Sequence, residues 1–282
     1  MTLHETLSHI VNEFHFLGDF ARVQAEEILM HFTGYSRMEL MLRGGEVIDS
    51  ATLDTIQSVV KRRISGEPLQ YILGTAYFYS REFRVNPDVL IPRPDTEILI
   101  EQVLKHELGT TARFADIGTG SGIIACILTE ERPSWTAVAV DISAKALRTA
   151  IINSRTAIRF VCADLLNAIK GEHQFDFIVS NPPYIPLDEY THLDISVKNH
   201  EPASALTDNA DGLGFYRYFA QQAHNWIRTD GSFYCEIGYN QGDAVKALFC
   251  QNGWRDVQLV RDLGGNDRVI CAIVPAAEDL GF

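Results

Sequence analysis

The run Asp176-Phe-Ile-Val-Ser-Asn181-Pro-Pro-Tyr184 carries the most specific chemistry in the chain. Aromatic and β-branched residues lead to an asparagine that two successive prolines hold in a rigid, non-helical corner. The side-chain oxygen of Asn181 can accept from an –NH2 group, and the carbonyl of Pro182 can accept the second proton of the same group. Two acceptors around a planar amine fix it and favour its pyramidal form, which turns the nitrogen lone pair toward an electrophile. Pro183 stiffens the corner, and Tyr184 can stack on the flat group that bears the nitrogen. Taken alone, Asn-Pro-Pro also suits a stiff turn with no ligand.

Two upstream motifs narrow the choice. Gly118-Thr119-Gly120-Ser121-Gly122 follows Phe114-Ala-Asp116-Ile, so glycines cluster where a strand would turn into a helix. Such glycines allow a sharp turn and a close ligand approach. Gly120, Gly122 and Ala125 also fit the dinucleotide pattern, so this motif does not separate cofactors. Asp141 ends the next apolar run, 25 residues after Asp116. A carboxylate there can accept both hydroxyls of a ribose, a device shared by NAD and S-adenosylmethionine enzymes, and it could equally cap the following helix. Asp164 ends a third run, where it could meet an adenine amine, although a loop aspartate needs no such role.

These residues need a scaffold that brings strand ends together. From residue 112 onward, candidate strands are Arg113–Ile117, Ala137–Asp141, Ile158–Cys162, Phe175–Ser180, Gly231–Ile237, Val257–Val260 and Arg268–Val274. Helical segments start between them near Ser121, Ser143, Gly212 and Gln241. The alternation predicts an α/β fold with a mostly parallel seven-stranded sheet covered on both faces. The last two strands have no helix between them and read as an antiparallel edge hairpin.

The first part of the chain is helical. Thr2 and Glu5 have capping-box spacing, and apolar stripes mark four helices, the second from about Asp19 to Phe32 and the fourth ended by Gly66 and Pro68. Leu69–Leu73 and Tyr77–Val85 are rich in aromatic and β-branched residues and read as the two strands of a linking hairpin. The expected organisation is a helical domain over 1–70, a hairpin linker over 71–92 and an α/β domain over 93–282. A helix is expected to start near Asp95 or Thr96, after the proline-broken segment Ile91-Pro-Arg-Pro.

Charge argues about partners. The chain of 282 residues carries a formal net charge of −13. Residues 1–90 hold 8 basic and 12 acidic side chains and residues 91–282 hold 16 and 25, so neither part is basic. Binding dominated by phosphate neutralisation needs a basic footprint, and the longest basic run is Lys61-Arg62-Arg63. The five cysteines form no CxxC pair and no histidine cluster accompanies them, which predicts neither a zinc site nor a disulfide framework and suits a reducing compartment. No signal peptide and no membrane span is visible.

Together the motifs resemble class I S-adenosylmethionine-dependent methyltransferases that modify planar amino nitrogens. Leu90-Ile-Pro-Arg-Pro-Asp-Thr-Glu97, Glu201-Pro with Ala205-Leu206, Asp211-Gly-Leu with Tyr216-Arg217, and Asp262-Leu-Gly-Gly-Asn-Asp-Arg268 further resemble the PrmC/HemK family of peptide chain release factor glutamine N5-methyltransferases. The resemblance covers essentially the whole chain. It implies that Gly118, Thr119, Gly120, Ser121 and Gly122 line the methionine part of the cofactor and that Asp141 binds its ribose. It implies that Asn181 touches cofactor and substrate, while Pro182, Pro183 and Tyr184 complete the amide site. Some members carry a tryptophan against the adenine just after the Asp164 position; this chain has Leu165, which can still cover a flat face. Arg93 and Glu97 are candidates for closing over the cofactor. The implied substrate is the glutamine of a release factor's Gly-Gly-Gln loop, with the N-terminal helices holding the rest of the factor. The implied setting is a cytoplasmic monomer with no direct nucleic-acid or membrane partner and no metal. Three rivals stand beside this reading, the least favoured being a non-catalytic scaffold of the same fold, which the intact motif opposes. A nucleic-acid base N-methyltransferase shares the motif but is opposed by the charge. An NAD-dependent oxidoreductase would leave Asn181–Tyr184 without a role.

Overall fold

The computed structural model describes residues 1–274; residues 275–282, the end of the expected 93–282 range, lie outside them. The chain folds as two compact units, Met1–Gly74 with Ile195–His200, and Thr75–Asp194 with Glu201–Phe282.

The first unit contains α1 (Leu3–Glu13), α2 (Phe20–Thr33), α3 (Arg37–Leu42), α4 (Ser50–Ile64) and α5 (Leu69–Leu73). Capping boxes start α1 and α3, pairing Thr2 with Glu5 and Ser36 with Glu39. Gly34 ends α2 in the left-handed conformation. Ile10, Phe14, Ala25, Ile28 and Leu29 form the buried stripe.

The strand expected at Leu69–Leu73 is instead helix α5. Pro68 occupies its N-cap and Gly74, at φ 74°, its C-cap. Leu69 joins the bundle core with Ile72 and Leu73 packed beside it, so tertiary packing overrides the local β preference. The hairpin is therefore built from the later segment alone, β1 (Thr75–Phe78) against β2 (Arg81–Arg84). Its two-residue loop, Tyr79-Ser80, has φ of 49° and 57°. That is a type I′ turn, which matches the twist of the strands but usually takes Asn-Gly.

The second unit continues with α6 (Thr96–His106), β3 (Arg113–Ile117), α7 (Ile123–Glu131), β4 (Thr136–Asp141), α8 (Ala144–Asn153), β5 (Ile158–Cys162) and β6 (Phe175–Ser180). Then come α9 (Leu187–Thr191), α10 (Ile195–His200, which belongs to the first unit), α11 (Gly214–Gln222), β7 (Ile227–Glu236), α12 (Gly242–Gln251), β8 (Arg255–Arg261) and β9 (Asp267–Ile273). The sheet order is β5-β4-β3-β6-β7-β9-β8, parallel from β5 to β7 and antiparallel through β9 and β8. The last two strands thus form the expected hairpin, with β8 at the edge.

Alternation sorts each central strand onto two cores. Ala115, Ile117, Ile178, Phe233 and Cys235 face one side; Phe114, Phe177, Val179 and Tyr234 face the other, where α6 and α7 lie. The chain enters the sheet at its middle, runs outward to β5, and returns to place β6 on the other side of β3. This reversal is a topological switch point, where an α/β sheet opens a crevice beyond its strand ends.

Ser80 is exposed, so Ser80→Gly removes left-handed strain without losing packing. The variant is expected to gain about 1 kcal/mol in denaturant unfolding, with no change in the far-UV spectrum.

Candidate active site

The crevice is present as a cavity of about 310 Å³, within the size range of small-molecule sites. Its floor comes from the carboxyl ends of successive strands: Ile117 to Ser121 after β3, Asp141 to Ser143 after β4, Ala163 to Leu165 after β5, and Asn181 with Pro183 after β6.

The glycine-rich turn is held from below. Gly118 N–H and Thr119 N–H both donate to Val140 O, at 2.8 and 2.9 Å. Asp116 Oδ2 accepts from Thr119 Oγ1 at 2.6 Å and from Ala125 N–H at 3.2 Å, tying the turn to the first residues of α7. Gly118 and Gly120 have φ of 72° and 55°. Gly122 is not on the cavity wall. At φ 82°, an added Cβ would lie 2.9 Å from Ala150 Cβ, so this glycine lets α8 pack against the start of α7.

Asp116 is fully buried, and its Oδ1 has no hydrogen-bond partner among the described residues. Burial pushes its carboxyl up to about 7, with neighbouring Asp141 adding to the effect. Asp141 Oδ2 accepts from Gly120 N–H at 2.9 Å and Oδ1 from Ser143 N–H at 2.8 Å. Each oxygen retains acceptor capacity, so the carboxylate can still take one hydroxyl per oxygen. This pair of acceptors suits the vicinal hydroxyls of a ribose. Leu165, at φ 51°, and Asp164 line the same cavity beyond it, as an apolar surface beside an acceptor. The residues present therefore fit S-adenosylmethionine.

The upper wall uses two distant segments. Glu201, buried, accepts from Arg93 Nη2 at 2.5 Å and from Ile91 N–H at 3.3 Å. This clasp joins the Asp88–Arg93 stretch to Pro202–Asn209, both of which contribute cavity-lining residues. The long segment Ile185–Asp211 thus contains α9 and α10 and then returns to cover the cavity. Arg93 lines the cavity; Glu97 does not, and its carboxylate accepts from Tyr79 N–H at 3.0 Å.

The Asn181-Pro-Pro-Tyr184 corner is positioned by two buried polar systems. In the first, Asn181 Nδ2 donates to Thr96 Oγ1 at 3.1 Å, Thr96 Oγ1 donates to Glu236 Oε2 at 2.6 Å, and Tyr184 Oη donates to Glu236 Oε1 at 3.2 Å. In the second, Gln241 Nε2 donates to Tyr184 O at 2.9 Å while its Oε1 accepts from Gly238 N–H at 2.9 Å. Gly212 lies so close that a Cβ would sit 2.3 Å from Tyr184 O. Burial lifts the Tyr184 phenol well above its usual range, and the adjoining Glu236 acts in the same direction. Thr96, Glu236 and Gln241 do not stand out in the sequence, where a threonine opening a helix and a glutamate ending a strand are ordinary. The available signal is a glutamate inside the apolar run Phe233–Ile237.

Asp116 binds a proton more readily when folded than when unfolded. Its contribution to stability is therefore fullest below the ordinary carboxylate range and is lost as pH rises through about 7. Asp116→Asn, which keeps the shape and removes the charge, is expected to unfold at higher temperature than wild type at pH 8. The cofactor-free variant should gain about 2–4 kcal/mol there, and the gap should narrow as pH falls below about 7 and close only near pH ~4, measured by calorimetry across pH.

Comparison with known proteins agrees with this geometry. Residues 5–74 match the PrmC N-terminal domain and residues 94–197 the methyltransferase small domain. The release factor glutamine methyltransferase of Thermodesulfovibrio yellowstonii is 37% identical over 273 residues, covering 94% of this chain and 96% of that protein. The one from Neisseria gonorrhoeae is 40% identical over 257 residues, covering 90% of this chain and 93% of the relative. A methyltransferase structure from Pyrococcus furiosus superposes with a TM-score of 0.52 at 15% identity, over 78% of this chain and 98% of that one, a likeness of fold. A glycine-rich turn, an aspartate with acceptor capacity to spare, and Asn181 with Pro183 around one cavity thus meet near-full-length similarity, and the chain, an S-adenosylmethionine-dependent methyltransferase, belongs to the release factor glutamine methyltransferase family.

Proposed function

We propose that this chain methylates the side-chain amide nitrogen of the glutamine in the Gly-Gly-Gln loop of peptide chain release factors. The observation that carries the reading is the orientation of Asn181 at the cavity wall. Its amide nitrogen is committed to Thr96, so its oxygen, on the opposite arm of the amide, is left to accept. Pro182 supplies a second acceptor through its carbonyl, and Pro183 keeps the corner from relaxing.

S-adenosylmethionine, when bound, supplies an electrophilic methyl group on a sulfonium that loses its charge on transfer. Gly118, Thr119, Gly120 and Ser121 would hold its methionine end, Asp141 its ribose, and Asp164 with Leu165 its adenine. The chain's own task is positioning. An amide nitrogen is a weak nucleophile because its lone pair is delocalised, and two acceptors on its protons favour the pyramidal form. Orientation of this kind supplies about 7–11 kcal/mol of a barrier. A strong base before attack is unnecessary, since the amine proton becomes acidic only as the carbon–nitrogen bond forms. Asn181 Oδ1 and the Pro182 carbonyl each accept one N–H; one of the two protons passes to water as the bond forms, and the methylated amide keeps the other. Tyr184 would lie beneath the amide; it is anchored by Glu236 through its hydroxyl and by Gln241 through its carbonyl.

A glutamine side chain, rather than a nucleic-acid base, suits the net charge of −13. The helical unit of residues 1–70 would hold the body of the factor, and the working form would be a cytoplasmic monomer without direct nucleic-acid or membrane contact. Among the described residues, no helix is long and apolar enough to cross a membrane.

Labelled methyl transfer to purified release factor, DNA and RNA tests the assignment. Incorporation into the factor alone, located by peptide mass spectrometry on the Gly-Gly-Gln glutamine, is expected; transfer to a nucleic acid instead would overturn it. Asn181→Ala should lower turnover by more than about 10²-fold while cofactor binding persists. Asp141→Ala should weaken cofactor affinity in calorimetric titration by about tenfold to a hundredfold, the loss associated with hydrogen bonds to a charged group.

A further inference from the structure

Glu236 is a buried carboxylate that the transfer chemistry does not use directly, and its surroundings are unusual. It ends β7 on the sheet face shared with Tyr234, with 1% of its surface exposed. Its side-chain oxygens take hydroxyl protons from Thr96 and Tyr184. The nearby guanidinium of Arg268 is committed to Asp95 at 3.0 Å and Asp262 at 2.9 Å. A carboxylate held this way is a poor choice for packing alone, because an amide or apolar side chain would fill the position with far less desolvation.

We propose that Glu236, acting through Thr96, sets which way the Asn181 carboxamide faces and so makes it an acceptor toward the substrate amine. The inference rests on the reading of Asn181 as that acceptor. A carboxamide presents an oxygen on one arm and an –NH2 on the other, and a half-turn of the amide exchanges them with little change in shape. The wrong orientation would point a donor at the substrate amine. Thr96 has one hydroxyl proton. Glu236 draws that proton at 2.6 Å, which leaves Thr96 Oγ1 able only to accept, and it accepts from Asn181 Nδ2 at 3.1 Å. The polarity of the chain therefore runs one way, from amide to hydroxyl to carboxylate. The same carboxylate takes the Tyr184 proton, so one buried group orients the acceptor and the aromatic platform together. Glu236 and Thr96 are positioning residues: they act on Asn181 and Tyr184 rather than on the substrate.

The ionisation of Glu236 offers a separate readout. Burial is the main reason its carboxyl rises to about 7. The charged groups facing it are Asp95, just before α6, which raises its proton affinity, and Arg268 on β9, which lowers it. Protonated Glu236 gives up one acceptor position, and one of its two hydroxyl donors then meets another donor. Ionised Glu236 serves both.

The test compares Thr96→Val, Thr96→Ser, Glu236→Gln and Asn181→Ala, each checked for wild-type-like folding. It measures kcat, KM for release factor and S-adenosylmethionine affinity from pH 6 to 9. Thr96→Val, near-isosteric but without the hydroxyl, is expected to lower kcat by about 10²-fold with only a small change in cofactor affinity. Thr96→Ser should restore most of that loss. Wild-type kcat should rise through neutrality, and Glu236→Gln should be slower and lack that rise. If Thr96→Val turns over like wild type while Asn181→Ala is inactive, the orienting role is wrong and the Asn181 reading stands. If Thr96→Ser is as impaired as Thr96→Val, the threonine methyl acts by packing and the proposal fails. If Asn181→Ala is itself active, the underlying reading fails and this inference falls with it.

Discussion

The parallel register of β3, β4, β5 and β6 is the constraint on which the site depends. Ile117 stands opposite Val140 on one side and Ser180 on the other, and Asp141 stands opposite Cys162. Strands spaced about 4.8 Å apart in this register release their next residues along one edge. Gly118, Asp141, Asp164 and Asn181 are scattered over more than sixty positions of chain, yet each lies within a few residues of that edge. The two amide donations from Gly118 and Thr119 to Val140 O close the first turn directly onto the neighbouring strand. A register slip of one residue would turn Asp141 to the other face and dismantle the cavity floor.

The sheet also buries two carboxylates on the face that holds α6 and α7. Asp116 follows the buried Phe114 and Ala115, and Glu236 follows Phe233, Tyr234 and Cys235. Each occupies a position that alternation would give to an apolar side chain, and burial raises the proton affinity of each. Each organises donors that would otherwise be free to move. Asp116 ties Thr119 and Ala125 into one turn, and Glu236 gathers Thr96 and Tyr184. The fold gives up some stability at these points for a site whose hydrogen bonds already point the right way before any ligand arrives.

The walls of the cavity show the same division between local and distant control. The floor is made by turns immediately after strands, where glycine and proline dictate the backbone. The upper wall depends on Glu201 reaching the Ile91 amide and the Arg93 side chain, a contact across more than a hundred positions of chain. Gln241 then holds the Tyr184 carbonyl, and Gly212, which has no side chain, leaves room for it, both from segments far along the chain.

Much of this was legible in the residues. Strand and helix order, the glycine turn, Asp141, Asp164 and the Asn181 corner all rest on short-range rules: alternation, capping, proline geometry and glycine freedom. The capping box at Thr2 is of the same kind. What stayed hidden depended on partners far away in the chain. Leu69–Leu73 has strand-like composition but became α5, because Leu69 could bury in the helical core and Pro68 and Gly74 frame a single turn. Gly122 belongs to the glycine motif, yet its place is under Ala150 of α8 rather than at the cavity. Thr96 and Glu236 lie 140 positions apart and acquire a role only when α6 packs over β7. Sequence alone determined which backbone turns form and which acceptors stand at the strand ends, because those follow from neighbours in the chain. Tertiary structure alone decided that the Asn181 amide nitrogen faces Thr96 while the Thr96 hydroxyl donates to Glu236, because only folding brings these three side chains together.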